Sequence, residues 1–185
     1  QNNRLNEAVN TGNLAYLYAN RSDFESARGL LEKSLELTSE LGEQWHHSNN
    51  LWRLGEILVF DGSLDEAERH FDESIRSSTQ HSLWQGMAQS GKALVLARKH
   101  GSLDAWTLVE AAEEHVQKAS SSDRKWFYLK KAQVAHYLNK FQLAQAAFAR
   151  ATGIGEPSST AIGSLLARLH EETQQMLESH PENLE

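Results

Sequence analysis

Leu51-Trp52-Arg53-Leu54-Gly55-Glu56-Ile57-Leu58, then Asp61-Gly62-Ser63, then Ala67-x-x-x-Phe71, is the stretch whose reading decides the fold. Leu51, Leu54 and Leu58 recur at helical spacing and lay down an apolar stripe, in which Gly55 leaves room for a second helix to approach. Gly62 supplies a left-handed backbone position at little cost, and Ser63 stands where an N-cap is wanted. Ala67 and Phe71, one turn apart, offer that second helix a notch and a bulky plug. The stretch reads as a helical hairpin.

The same hairpin recurs along the chain. A shift of 40 places Leu14 on Leu54, Tyr18 on Leu58, Ala27 on Ala67, Leu31 on Phe71 and Ser34 on Ser74. A shift of 39 places Trp45 on Trp84 and Gly62-Ser63-Leu64-Asp65 on Gly101-Ser102-Leu103-Asp104. A last copy runs from Tyr128-x-x-Lys131-Ala132 through the turn Asn139-Lys140 to Phe141, Ala144, Phe148 and Ala151, with Lys131 breaking its apolar pattern. Repeats of this period mean stacked units. The third unit carries Trp106 where alanine is expected, so its second helix should sit differently or farther out.

Only Pro157 and Pro181 occur, so no hard helix breaker interrupts the first 156 residues. The expected fold is all-α: a right-handed solenoid of about four antiparallel hairpins at 3–41, 44–79, 82–119 and 123–152. A ninth helix at 158–178 caps it, with Leu165, Leu166, Leu169, Met176 and Leu177 covering the apolar face of the last hairpin. Residues 1–183 read as one domain. The start at Gln1 and the closing Leu184-Glu185, a dipeptide often left by cloning, suggest an excised piece.

Composition narrows the function. The 185 residues carry 18 Lys+Arg against 25 Asp+Glu, a net charge of −7, so the electrostatic footprint of nucleic-acid binding is absent. Cysteine is absent, which removes disulfides, thiolate metal sites and thiol nucleophiles and points to a reducing compartment. No apolar run approaches the roughly 18 residues of a membrane span. A soluble, cytoplasmic protein with neither a membrane nor a nucleic-acid partner is expected.

The small and large residues at fixed offsets on paired helices resemble the tetratricopeptide repeat over residues 9–152, with a longer period and no closing proline. Leu30-Leu31-Glu32-Lys33-Ser34-Leu35-Glu36-Leu37 and the following Glu40-Leu41-Gly42-Glu43-Gln44-Trp45 are similar to the repeat arms of bacterial multidomain signalling ATPases and transcription regulators. The resemblance implies a concave groove lined by first helices. Its positions transfer to Val9, Gly12, Tyr16 and Asn20; to Asn49, Trp52, Glu56 and Phe60; to Val95, Arg98 and Lys99; and to Trp126, Leu129, Gln133, His136 and Tyr137. Such a mixed surface suits a peptide or helix, although Trp52, Phe60 and Trp126 serve equally as packing between hairpins. Tyr16 and Glu56 stand where a clamp for a C-terminal carboxylate would need an amide donor, which disfavours a chaperone-tail adaptor.

No chemistry emerges. No histidine pair has the i, i+4 spacing of a helical metal site, so no metal is expected. Glu113-Glu114 and Glu171-Glu172 read as solvated faces, not acid/base dyads. Phosphate loops are missing, Ser120-Ser121-Ser122 is a short linker, and no cofactor is implied. The leading expectation is a non-catalytic protein-interaction scaffold within a larger regulatory protein. Its rivals are a small-molecule or peptide sensing arm, an enzyme with a deep pocket, and a homodimer in which a second copy's terminal helix fills the groove.

Overall fold

The computed structural model describes residues 2–78, 82–154 and 163–179. Among them the chain forms nine α-helices and no strand: α1 (Asn2–Asn20), α2 (Phe24–Leu41), α3 (Gln44–Asp61), α4 (Leu64–Ser77), α5 (Ser82–His100), α6 (Asp104–Val116), α7 (Ser121–Tyr137), α8 (Phe141–Thr152) and α9 (Gly163–Glu178). Successive helices pair as hairpins, and α1, α3, α5 and α7 pack in turn along one side, an α-solenoid arrangement. Three expected bounds shift. Helix α6 stops at Val116 instead of 119, α7 begins at Ser121 instead of 123, and α4 ends at Ser77 instead of 79. The expected helical residues 158–162, with Pro157 before them, lie outside the described residues.

One backbone corner builds all four hairpins. Ser22, Gly62, Gly101 and Asn139 have φ of 60°, 85°, 58° and 57°, the left-handed region, each just after a first helix. In three of them the next amide bonds back to a carbonyl five residues earlier: Asp23 to Tyr18, Ser63 to Leu58 and Lys140 to Ala135, at 2.8–3.0 Å. These bonds satisfy orphan helix carbonyls and reverse the chain within a few residues. Asp23 caps α2 through the Ser26 amide at 3.1 Å. Ser63 makes no side-chain cap; its hydroxyl donates to Asp61 at 3.0 Å instead, so the expected cap at this position is corrected.

The notch and plug are realised in three dimensions. Phe71 is fully buried, and a Cβ on Gly55 or Gly91 would come within 2.5 Å or 2.4 Å of its ring. The ring of α4 therefore fills the space that two glycines leave on α3 and α5. The equivalence of Ser34 and Ser74 also has a physical cause. Ser34 donates to the Ala8 carbonyl at 2.6 Å and Ser74 to the Ser48 carbonyl at 2.9 Å, each buried hydroxyl tying its helix to the first helix of its own hairpin.

The third hairpin corrects the sequence reading. Ala105, not residue 106, takes the buried notch position, followed by Val109, Ala112 and Val116, so the repeat slips by one residue and α6 stays closely packed on α5. Gly86 permits this, since a Cβ there would lie 2.6 Å from the Cβ of His115. Trp106 turns outward to stack beneath the Lys131 and Lys140 ammonium groups at 5.2 and 5.8 Å.

Glu113 is likewise more than a solvated carboxylate. It accepts from Tyr128 Oη at 2.9 Å, Lys131 Nζ at 2.5 Å and Arg150 Nη1 at 2.8 Å, linking α6 to α7 and α8 and giving Lys131 its partner. Burial alone would raise its pKa, but the hydrogen bonds from Lys131 and Tyr128 and the positive charges of Lys131 and Arg150 outweigh this and hold it below the ordinary 4.5. A depressed carboxyl contributes stability that is present above the unfolded pKa and is lost as pH falls through the folded one. Glu113→Gln is therefore expected to lower the melting temperature by a few degrees at pH 7, with the gap to the native chain closing below about pH 4. Parallel melts across that range check this; a gap that persists in acid would assign the effect to packing.

Candidate functional site

The chain's own last helix lies against the first helices α1, α3 and α7. Helix α9 is amphipathic: Leu165, Leu166, Leu169 and Thr173 are buried, while Glu171, Gln174, Gln175 and Glu178 face solvent. It packs on α7 and α8, with His170 against the Phe148 ring at 5.0 Å, and it also reaches back across the groove. The Leu165 amide donates to Asn20 Oδ1 on α1 at 3.3 Å. The Arg168 guanidinium lies over the Phe24 and Phe60 rings at 5.5 and 5.0 Å. Gln133 Nε2 donates to Thr173 Oγ1 at 3.1 Å in a buried contact.

Beneath α9 sits a buried ion pair. Lys130 Nζ of α7 lies 2.7 Å from Glu56 Oε2 of α3, with the two side chains 1% and 6% exposed. Phe60 and Trp126 flank the ammonium at 5.5 and 5.8 Å. Two charges can be held at such depth only because each is the other's partner and aromatic faces surround the cation. Beside the pair, Trp52 stacks on Trp84 at 5.5 Å and meets Trp126 edge-on at 6.2 Å. These rings, with Tyr16, Arg53, Glu56, Asp123 and Leu165, line a half-open cavity of about 210 Å³.

The structure thus distributes the expected groove residues unevenly. Tyr16, Trp52, Glu56 and Trp126 converge on the cavity. Asn20, Phe60 and Gln133 meet α9. Arg98 and Tyr137 line a second hollow against Leu169 and Met176, Arg98 also approaching the Val59 carbonyl at 3.4 Å. Asn49 opens on a separate pocket with Val9 and Gly12. His136 is buried, edge-on to Phe141 at 5.6 Å, and Leu129 and Val95 are fully buried core residues. Lys99 is a correction: it turns to α4, where Asp65 and Glu68 hold it at 2.6 and 2.7 Å, because it stands at the end of α5 beside the acidic first turn of that helix.

Arg53, Trp84, Asp123 and Lys130 were not among the expected groove residues. Arg53 and Lys130 neighbour transferred positions, but a helical pattern marks a cation there as outward-facing, and pairing across 74 residues leaves no local signal. Trp84 is detectable only through its alignment with Trp45.

Residues 6–80 match the family model of the tetratricopeptide repeat. The match spans almost all of the first two hairpins, and the same left-handed corner carries the architecture into the third and fourth. Repeats of this family are in general non-catalytic protein–protein interaction modules. The chain has no match among curated proteins. No helix among the described residues is long and apolar enough to cross a membrane.

Proposed function

We propose that this chain is a single repeat domain serving as a protein-interaction scaffold, whose groove takes an amphipathic helix or peptide and which belongs to a larger regulatory protein. The observation that carries the reading is the seating of α9: Asn20 meets a helix amide, Phe24 and Phe60 stack under an arginine, and Gln133 reaches a buried threonine. This is helix-in-groove recognition, with Leu165, Leu166 and Leu169 as anchors. A partner helix with the same spacing competes with α9 for the groove.

The test uses Leu166→Glu/Leu169→Glu, which frees the groove by placing two carboxylates where the buried leucines sat. A labelled peptide of residues 163–178 is expected to bind this variant, and the same peptide carrying both glutamates at least thirtyfold more weakly, since each lost leucine contact is worth about 1.5–3 kcal/mol. Equal binding of the two peptides, or none by either, refutes the groove reading. Light scattering on the native chain tests the homodimer variant, in which α9 of one copy seats in another.

The aromatic cavity favours a second reading, that of a sensing arm in a signalling ATPase or transcription regulator. A ligand there touches α1, α3, α5 and α7 together through Tyr16, Trp52, Trp84 and Trp126, and so bears on how the hairpins stack.

A further inference from the structure

The cavity beside α9 has an unusual polar lining. Trp52, Trp84 and Trp126 are more than nine-tenths buried, and the indole N–H of each is closed off from solvent with no hydrogen-bond partner. Arg53 Nε is in the same state. The Arg53 guanidinium lies over the Tyr16 ring at 4.9 Å and donates one long bond, 3.3 Å, to the Gly12 carbonyl. Among the described residues no carboxylate stands within ion-pairing distance of it. Asp123 acts on it only at longer range, its own Oδ2 accepting from Ser120 Oγ at 2.7 Å. Burial depresses the Arg53 pKa, the mark of a charge short of counter-charge.

Donors shut off from solvent without acceptors are costly, and a half-buried guanidinium short of a carboxylate adds to that cost. The side chains that carry these donors line one cavity, whose other walls include Tyr16, Ile57 and Leu165 and the carboxyl residues Glu56 and Asp123. An engineered cavity of about 150 Å³ holds benzene. The 210 Å³ here accommodates an aromatic ring and a short polar arm.

We propose that the cavity binds a small aryl monocarboxylic acid, its ring among Trp52, Trp84 and Trp126 and its carboxylate on Arg53. The inference rests on the sensing reading above and adds the class of ligand. A cationic ligand, which an aromatic cage otherwise attracts, meets Arg53 at the wall, and Glu56 already has Lys130 as its partner. A phosphate dianion meets Asp123 as well as Arg53, and a monocarboxylate matches the one cationic side chain in the lining.

The experiment compares 3-phenylpropionate, 3-phenylpropanamide and 3-phenylpropylamine on the native chain, reading tryptophan fluorescence and melting temperature. The acid is expected to bind at least tenfold more tightly than the amide, with the amine weakest. Arg53→Met should remove the acid's advantage and leave amide affinity unchanged; its circular dichroism and melt establish that it folds. Should Arg53→Met not fold, the order of the three ligands on the native chain still decides. If the amide equals the acid, or the amine binds best, carboxylate recognition is overturned while the sensing reading stands. If none of the three changes either signal, both fall.

Discussion

Lys130→Met is expected to lower the melting temperature by roughly 10 °C. The substitution removes the cation that stands 2.7 Å from the Glu56 carboxylate, itself 6% exposed. Breaking a buried pair from one side costs about 3–5 kcal/mol, and each kcal/mol shifts the midpoint of a chain this size by about 2–4 °C. Removing both charges is a different matter. Glu56→Leu/Lys130→Met replaces two desolvated ions by apolar groups of similar volume, and such replacements are often neutral or stabilising. The double variant should recover most of the loss. Thermal melts of the native chain, both single variants and the double variant close the cycle. If Lys130→Met costs less than about 2 °C, water reaches the pair and the charges are not structurally coupled.

Phe71→Ala is expected to have an effect of similar size by another route. The ring is fully buried and lies against Gly55 of α3 and Gly91 of α5, neither of which has a side chain to move into the vacated space. Truncating a buried phenylalanine costs about 3–5 kcal/mol, the upper end applying where the site cannot collapse. Because α4 joins two hairpins through this ring, the loss falls on the stacking of units as well as on one hairpin. Denaturant unfolding should show a large fall in midpoint, and hydrogen exchange should speed up in α3, α4 and α5 before α8. A uniform rise across all helices would mean that the repeats unfold as one block.

The hairpins were legible because their determinants are local. A left-handed residue after a helix, a small residue opposite a plug and a recurring period all lie within about forty residues, and each of the four corners is marked by Ser22, Gly62, Gly101 or Asn139. Even so, the one-residue slip of the third unit was hidden, since Trp106 and Ala105 are adjacent and only packing against Gly86 shows which faces inward. The groove residues were legible as positions and not as roles. Trp52 and Glu56 share the α3 helix with Asn49 and Phe60, yet the four serve a cavity, an ion pair, a pocket and a helix seat.

What the sequence alone determined about this protein is a helical repeat without strands, because helix periodicity and turn chemistry act between residues a few positions apart. What only the tertiary structure decided is how distant helices meet: α9 laid back as far as Asn20, Lys130 brought to Glu56, and three tryptophans and Arg53 gathered in the lining of one cavity. Those contacts join helices separated by whole repeats. Their energies depend on the curvature at which the hairpins stack, a quantity that side-chain volumes summed over the entire chain set and no single segment contains.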